Sequence, residues 1–273
     1  MNAKAVPVLM YHHVAPRPGL VTVKPQTFAD HMERLARAGY TTLTADRFLA
    51  WMQGRVDVPH KSVLVTFDDG YLDNYVHAYP TLKRLGLHAV VFLVTGWIGD
   101  GPVRPNADGN EDLPDLPSHK ACKQAIAEGR ADDAMMRWSE IELMEADGTI
   151  EFHSHTHTHV RWDELHENVS ARLDALRHDL AQSRDTLRQR LGRESRHLCW
   201  PWGHFDTGYQ TLAREFGFDA QYTVERGLNL PGDDPLHIKR IDTKERPAGW
   251  LARQLFTYRS PRLGRTYLAL RGR

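Results

Sequence analysis

Short apolar runs of strand length alternate with segments of helical period from residue 6 to residue 241. Such alternation builds a parallel sheet, because neighbouring parallel strands need a long crossover and a helix supplies it. Residues 6–11, 41–43, 62–67, 88–94, 149–153, 197–200, 221–224 and 237–241 read as strands. Residues 27–38 read as a helix, with Phe28, Met32 and Leu35 on one face and Gly39 as its stop. Further helices are expected around Phe48, Leu49 and Met52, over 75–85, over 138–146 with Ser139 as cap, and over 208–216. One long helix is expected over 163–191, its apolar stripe running through Leu165, Val169, Leu173, Leu176, Leu180 and Leu187.

These units predict a single α/β domain, its sheet open or closed into a (β/α) barrel, over 1–245. Residues 100–134 break the pattern: they are rich in Gly, Pro and acids and read as a loop-rich insertion. With 41% hydrophobic residues the chain can bury a substantial core, and its formal net charge of +0 points to no nucleic acid partner. Cys122 and Cys199 form no CxxC pair, so a zinc knuckle or thioredoxin-type site has no support. The first ten residues lack the long apolar region of a signal peptide, and no run approaches the ~20 apolar residues of a membrane span. A cytoplasmic location is the expectation.

Two runs carry the chemistry. Thr66-Phe67-Asp68-Asp69-Gly70-Tyr71 places adjacent carboxylates at the end of a strand. Neighbouring side chains on an extended backbone point opposite ways, so a bend at Asp69-Gly70 is needed to bring both to one site, and glycine makes it cheap. His153-Ser154-His155-Thr156-His157-Thr158-His159 sets imidazoles four residues apart, a spacing shared by His153/His157 and His155/His159. On a helical turn either pair would share a face. An Asp and two His are a common ligand set for a hydrolytic divalent metal. Both runs, and Pro201-Trp202-Gly203, follow expected strands, where barrel active sites lie.

The first run resembles the first signature of the polysaccharide deacetylases with the NodB-type domain, carbohydrate esterase family 4. Ser154 to His159 resembles the second, Ser/Asn-His-Thr-x-x-His, and so selects His155 and His159. Trp200-Pro201-Trp202-Gly203 resembles the third as it stands in poly-N-acetylglucosamine deacetylases, without the usual leading Arg. Tyr11-His12-His13-Val14 is similar to the Tyr-His-x-Val strand of that branch. The resemblance implies a distorted (β/α) barrel and one divalent metal held by Asp69, His155 and His159. Zinc suits that set; cobalt, nickel and iron also fit. It implies Asp68 as general base, a backbone N–H at Trp202 for the oxyanion, and His12, Tyr71, Trp200 and Pro201 around the substrate.

The family's late Leu-x-x-His acid is missing here; His237 is the nearest residue to it in sequence, and His12 is the other proton donor to weigh. Trp97, Trp138 and Trp162 are rim candidates for stacking on sugar. The expected activity is N-deacetylation of an amino-sugar glycan or a lipid-linked sugar. A formamide or small ureide as substrate, or a non-catalytic carbohydrate-binding role, are the alternatives. Residues 246–273 hold seven Arg and no acid, interleaved with Trp250, Phe256, Tyr258, Leu263 and Tyr267. That composition fits either a last helix packed on the barrel or a peripheral contact with the inner face of an anionic membrane.

Overall fold

The computed structural model describes residues 1–109 and 112–271. Strand β1 (Val8–Tyr11) is followed by a small pair, β2 (His13–Val14) and β3 (Thr22–Val23), and by helix α1 (Pro25–Arg37). Next come β4 (Thr41–Thr42), α2 (Ala45–Met52), β5 (Ser62–Phe67), α3 (Tyr79–Leu85) and β6 (Ala89–Leu93). Helices α4 (His119–Ala127) and α5 (Trp138–Ala146) lead to β7 (Ile150–Ser154), α6 (Trp162–Leu165) and α7 (Val169–Leu191). The chain ends with β8 (His197–Cys199), α8 (Thr207–Glu215), β9 (Ala220–Tyr222), β10 (Ile241–Asp242), α9 (Ala248–Tyr258) and α10 (Pro261–Arg271).

The main sheet is parallel, in the order β10-β1-β5-β6-β7-β8-β9, with β4 beside β5. Ile238 bridges Tyr222 of β9, and Ile241 pairs with Leu9 of β1, so residues 238–242 join the two edges of the curled sheet. This is the distorted (β/α) barrel expected of the sequence. Both faces are covered, which is why the strands read as almost unbroken apolar runs. In β5, Val63, Val65 and Phe67 pack outward with α1's Phe28 and Met32, while Leu64 packs inward with Val8, Val90, Phe92 and Tyr222. The period of two that sends Leu64 and Thr66 inward continues to Asp68. Helix α2 plugs the base of the barrel through Ala45, Phe48 and Leu49.

Three expectations change. The helix over 163–191 is interrupted: Asn168 caps a new helix by accepting from the Ala171 N–H, and Leu165 and Val169 stay exposed while Leu176, Leu180 and Leu187 are buried. Ser139 is not the cap of α5; Arg137 is, and the Glu140 carboxylate accepts from the Arg137 backbone N–H. The insertion at 100–134 is not all loop, because Ser118 caps α4 and its Cys122 and Ala125 are buried. Tail helix α9 buries Leu251, Leu255 and Tyr258 in the same core as α1. Arg273 lies outside the described residues. Both cysteines are free and buried. No helix among the described residues is long and apolar enough to cross a membrane.

Arg104 ties the insertion down. Its guanidinium donates to both oxygens of Glu140, which is fully buried, and to the carbonyls of Asp132 and Met135. Removing one partner of such a pair strands the other charge, at a cost of about 3–5 kcal/mol. Arg104→Met is expected to lower the urea midpoint accordingly and to open residues 100–134 to limited proteolysis. An unchanged midpoint would show that Glu140 does not depend on this partner.

Candidate metal centre and catalytic mouth

The first site segment leaves β5 through a sharp turn. Asp69 has φ 75° and Gly70 φ 90°, so the bend inferred from sequence spans both residues. A side chain at Gly70 would strike Leu93, and its φ is one that L-residues avoid. The second segment leaves β7 as an irregular loop rather than a helical turn. Thr156 (φ 63°) and His159 (φ 60°) take left-handed backbone, and this folds His159 back beside His155, their rings 4.9 Å apart. The spacing of four thus serves a loop. Trp202 (φ 60°) completes the set: the non-glycine residues of positive φ among those described all lie on these three segments. Strain of this kind persists only where the surroundings enforce it.

Asp179 of α7 does the enforcing for the His loop. Its buried carboxylate accepts from the His157 and Thr158 N–H groups (2.9 and 2.8 Å) and from the Trp162 indole (3.1 Å). In the sequence it is no more than an acid on the inner side of an otherwise leucine-lined helix.

The Nε2 atoms of His155 and His159 lie 3.3 and 3.4 Å from one oxygen of Asp69. His155 Nδ1 is 2.7 Å from the Cys199 carbonyl, which can only accept, so that nitrogen carries a proton and Nε2 is the one turned toward Asp69. Burial lowers the His155 imidazole, but Cys199 and Asp69 outweigh it and hold it well above its usual value, so a cation there would have to displace the Nε2 proton. Burial, the larger influence, takes His159 down to about 4 against the pull of Asp69, leaving its ring neutral. Neutral imidazoles and an ionised carboxylate are the forms that bind metal. The three donors therefore fit a divalent cation. His153 and His157 face elsewhere: His153 bonds Ser195 and His157 bonds Thr95. A second grouping, Asp68 with His155 and Cys199, is also close. It is a poor site, because Arg240 occupies both Asp68 oxygens and burial pushes the Cys199 thiol up, away from the thiolate a metal needs.

Arg240 was not singled out from sequence. It stands on the closing segment, fully buried, and donates to Asp68 Oδ1 and Oδ2 at 2.7 and 2.8 Å. It also reaches Thr66 Oγ1, the Thr223 carbonyl and Cys199 Sγ. Burial alone would raise the Asp68 carboxyl; the Arg240 charge and hydrogen bonds outweigh it and hold the group below the usual carboxylate range. The readable signal was a lone Arg inside an expected strand, in a chain whose third signature lacks its Arg.

A cavity of about 280 Å³ opens over these groups. Asp68, Asp69, His155, His159, His12, Tyr71, Trp200, Trp202 and Trp97 line it. His12 Nε2 is 3.8 Å from Asp68. Pro201 is buried behind the wall. Trp138 is buried beneath Arg190, and Trp162 is held by Asp179; neither lines the cavity. His237 is outside it as well, bonded to Glu225 at 2.8 Å with its ring against Phe205. A roomier cleft of about 570 Å³ lies by the insertion, but its Arg104, Arg130 and Arg137 are already paired with acids.

The polysaccharide deacetylase family profile matches residues 55–221. YxkH of Bacillus subtilis (strain 168), grouped by name with the polysaccharide deacetylases, is 40% identical over 94 residues, 34% of this chain and 33% of that protein. The poly-beta-1,6-N-acetyl-D-glucosamine N-deacetylase of Escherichia coli (strain K12) is 22% identical over 217 residues, 76% of this chain and 32% of that protein. The chain thus spans about a third of the length of either relative. Among solved structures, IcaB from Ammonifex degensii superposes with a TM-score of 0.73 at 24% identity, covering 93% of this chain and 98% of that one.

Outer partners of metal ligands are worth about 10–100-fold in affinity. Asp179 acts one step further out, on the backbone between the two His, so Asp179→Ala should weaken zinc or cobalt binding by no more than that factor in a competition titration. His155→Ala should remove most bound metal. Full occupancy in His155→Ala would move the ligand set to His153 and His157.

Proposed function

The chain belongs to the polysaccharide deacetylase family, and from that premise we propose that it removes N-acetyl groups from an amino-sugar glycan by metal-dependent hydrolysis. The observation that carries the reading is Asp68, held ionised by a bidentate buried Arg240 directly beside the Asp69, His155 and His159 donors. Asp69, His155 and His159 would hold a divalent cation, for which we propose zinc, and its chemistry there would be to polarise the amide carbonyl and make a water easier to deprotonate.

The chain's own groups do the rest. Asp68 takes a proton from the attacking water, and Arg240 fixes the direction in which its carboxylate can accept. The Trp202 backbone N–H is proposed to donate to the developing oxyanion. Burial lowers the His12 imidazole, so His12, 3.8 Å from Asp68, is proposed to relay to the leaving amine the proton that Asp68 took; His237 is held away by Glu225. Tyr71, Trp200, Trp97 and Trp202 enclose the sugar, and Pro201 shapes the turn that presents Trp202. The intact base and donor set speaks against a purely carbohydrate-binding role.

Acetate release from N-acetylglucosamine oligosaccharides, with metal and after chelation, tests the reading. Asp68→Asn should keep its metal and lose turnover by ~10²–10⁴-fold. Its thermal midpoint should also fall, since Arg240 loses its counter-charge. Near-normal turnover would mean that another group takes the proton.

For the tail, we propose a peripheral contact with anionic lipid, and on that account a place at the inner face of the membrane. Phe256, Leu263 and Leu270 are exposed beside Arg259, Arg262 and Arg265, which have no carboxylate partner among the described residues. Phe256 and Arg259 share a surface cleft with Lys61, the residue before β5, so this patch lies at the base of the barrel. A protein bound there would turn its mouth away from the bilayer, which favours a glycan over a sugar still embedded through its lipid. Full-length protein should float with anionic vesicles at low salt, and Arg262→Glu with Arg265→Glu should abolish this. A wild-type chain that stays in the soluble fraction removes the lipid contact.

A further inference from the structure

Helix α4 gives the insertion one face toward the mouth. Cys122 and Ala125 are buried on its inner side, and Ser118 caps its start. His119 and Lys123, one turn apart, line the same cavity as the metal donors. His119 is latched to the barrel: its Nδ1 is 3.1 Å from His13 Nε2, and His13 Nδ1 is 2.6 Å from the buried Asp73. Asp73 is itself held by the Val14 N–H and the Asn74 amide, and the His13 ring stacks on Tyr71 at 3.7 Å. The helix is therefore a fixed wall of the mouth.

The charges of that mouth are paired locally but for one. Asp68 is matched by Arg240 and Asp242 by Lys244 at 3.3 Å, and Asp69 faces the two imidazoles and the cation they would share. Lys123 has no carboxylate among the described residues; its ammonium rests over the exposed Trp202 ring, 4.4 Å from the centroid. An ammonium over an exposed aromatic face is weakly held and keeps its charge available to a third group. Around it the cavity is apolar, with Leu20, Val21, Trp97 and Val224 suited to sugar faces.

We propose that Lys123, with His119 beside it, forms a subsite for an anionic group on the glycan, a carboxylate or phosphate borne by a sugar next to the one that is deacetylated. The proposal rests on the deacetylase reading for the word glycan, but its binding test does not. Lys123 supplies charge, the Trp202 face carries the ring, and His119 adds a hydrogen bond from Nε2–H in the tautomer where His13 Nε2 donates to His119 Nδ1, since an anionic oxygen can only accept. The subsite makes the enzyme selective for acidic over neutral chains.

Calorimetry on the metal-loaded full chain tests it with three tetrasaccharide probes. One is neutral oligo-N-acetylglucosamine, one alternates N-acetylglucosamine with glucuronic acid, and one carries a terminal phosphate. The wild type should prefer an acidic probe by about fivefold, the worth of one partly exposed ion pair. The uronate and phosphate arms tell which anion the subsite takes. Lys123→Met should erase the preference while leaving neutral affinity within about twofold, Lys123→Arg should retain it, and salt should weaken it. A wild type with no preference or no binding overturns the proposal. So does Lys123→Met weakening all probes equally, which would mean that Lys123 only props Trp202. Lys123-dependent binding without acetate release from any probe would instead sink the deacetylase reading and leave the subsite standing.

Discussion

A buried carboxylate and a buried guanidinium, Asp68 and Arg240, meet in two parallel hydrogen bonds inside the barrel. Neither could be there alone. Taking either charge out of water costs several kcal/mol, and only a partner of matched geometry offsets it. The two residues stand beside β5 and β10, which flank β1 in the sheet, so the pair forms when the closing segment docks against β1. The fold and the base are for this reason one problem. The inward parity of β5 aims Asp68 at the interior, and the closing segment brings the counter-charge that makes an ionised acid tolerable there.

The rest of the centre is built on backbone that L-residues resist. Asp69, Thr156, His159 and Trp202 all hold positive φ, and each costs of order 1–3 kcal/mol. The compensation is visible around them. Gly70 shares the first turn, Asp179 captures two N–H groups of the His loop, and Ser154 and Ser183 join hydroxyls beneath it. Regular strands and helices supply stability, and the three loops at their carboxyl ends consume part of it to converge three donors.

The strand–helix alternation and the carboxylate turn were legible in sequence because each is a local pattern, apolar runs between helical periods and Asp-Asp-Gly; the spacing of four left two histidine pairs open, and only the family resemblance chose between them. What escaped was non-local. Arg240 pairs with a residue 172 positions away, and nothing near it in the chain marks that partner. Asp179 reads as an ordinary helix acid until the loop it caps is placed above it. The break before α7 was hidden because Leu165 and Val169 continue a helical stripe that the fold leaves in solvent. His237 shows the converse error: nearness to a motif in sequence did not carry it to the mouth, because Glu225 holds it elsewhere.

The closing segment also sets an order of events at the ribosome. Asp68 is made 172 residues before its counter-charge, an interval of about 10–30 s at ordinary elongation rates. Until Arg240 emerges, the first strands can pair but cannot seal, since sealing would bury a naked carboxylate. The segment that completes the sheet is thus also the one that lets the buried base stay ionised. A premature stop before residue 240 would leave a nearly full set of strands with no stable way to close.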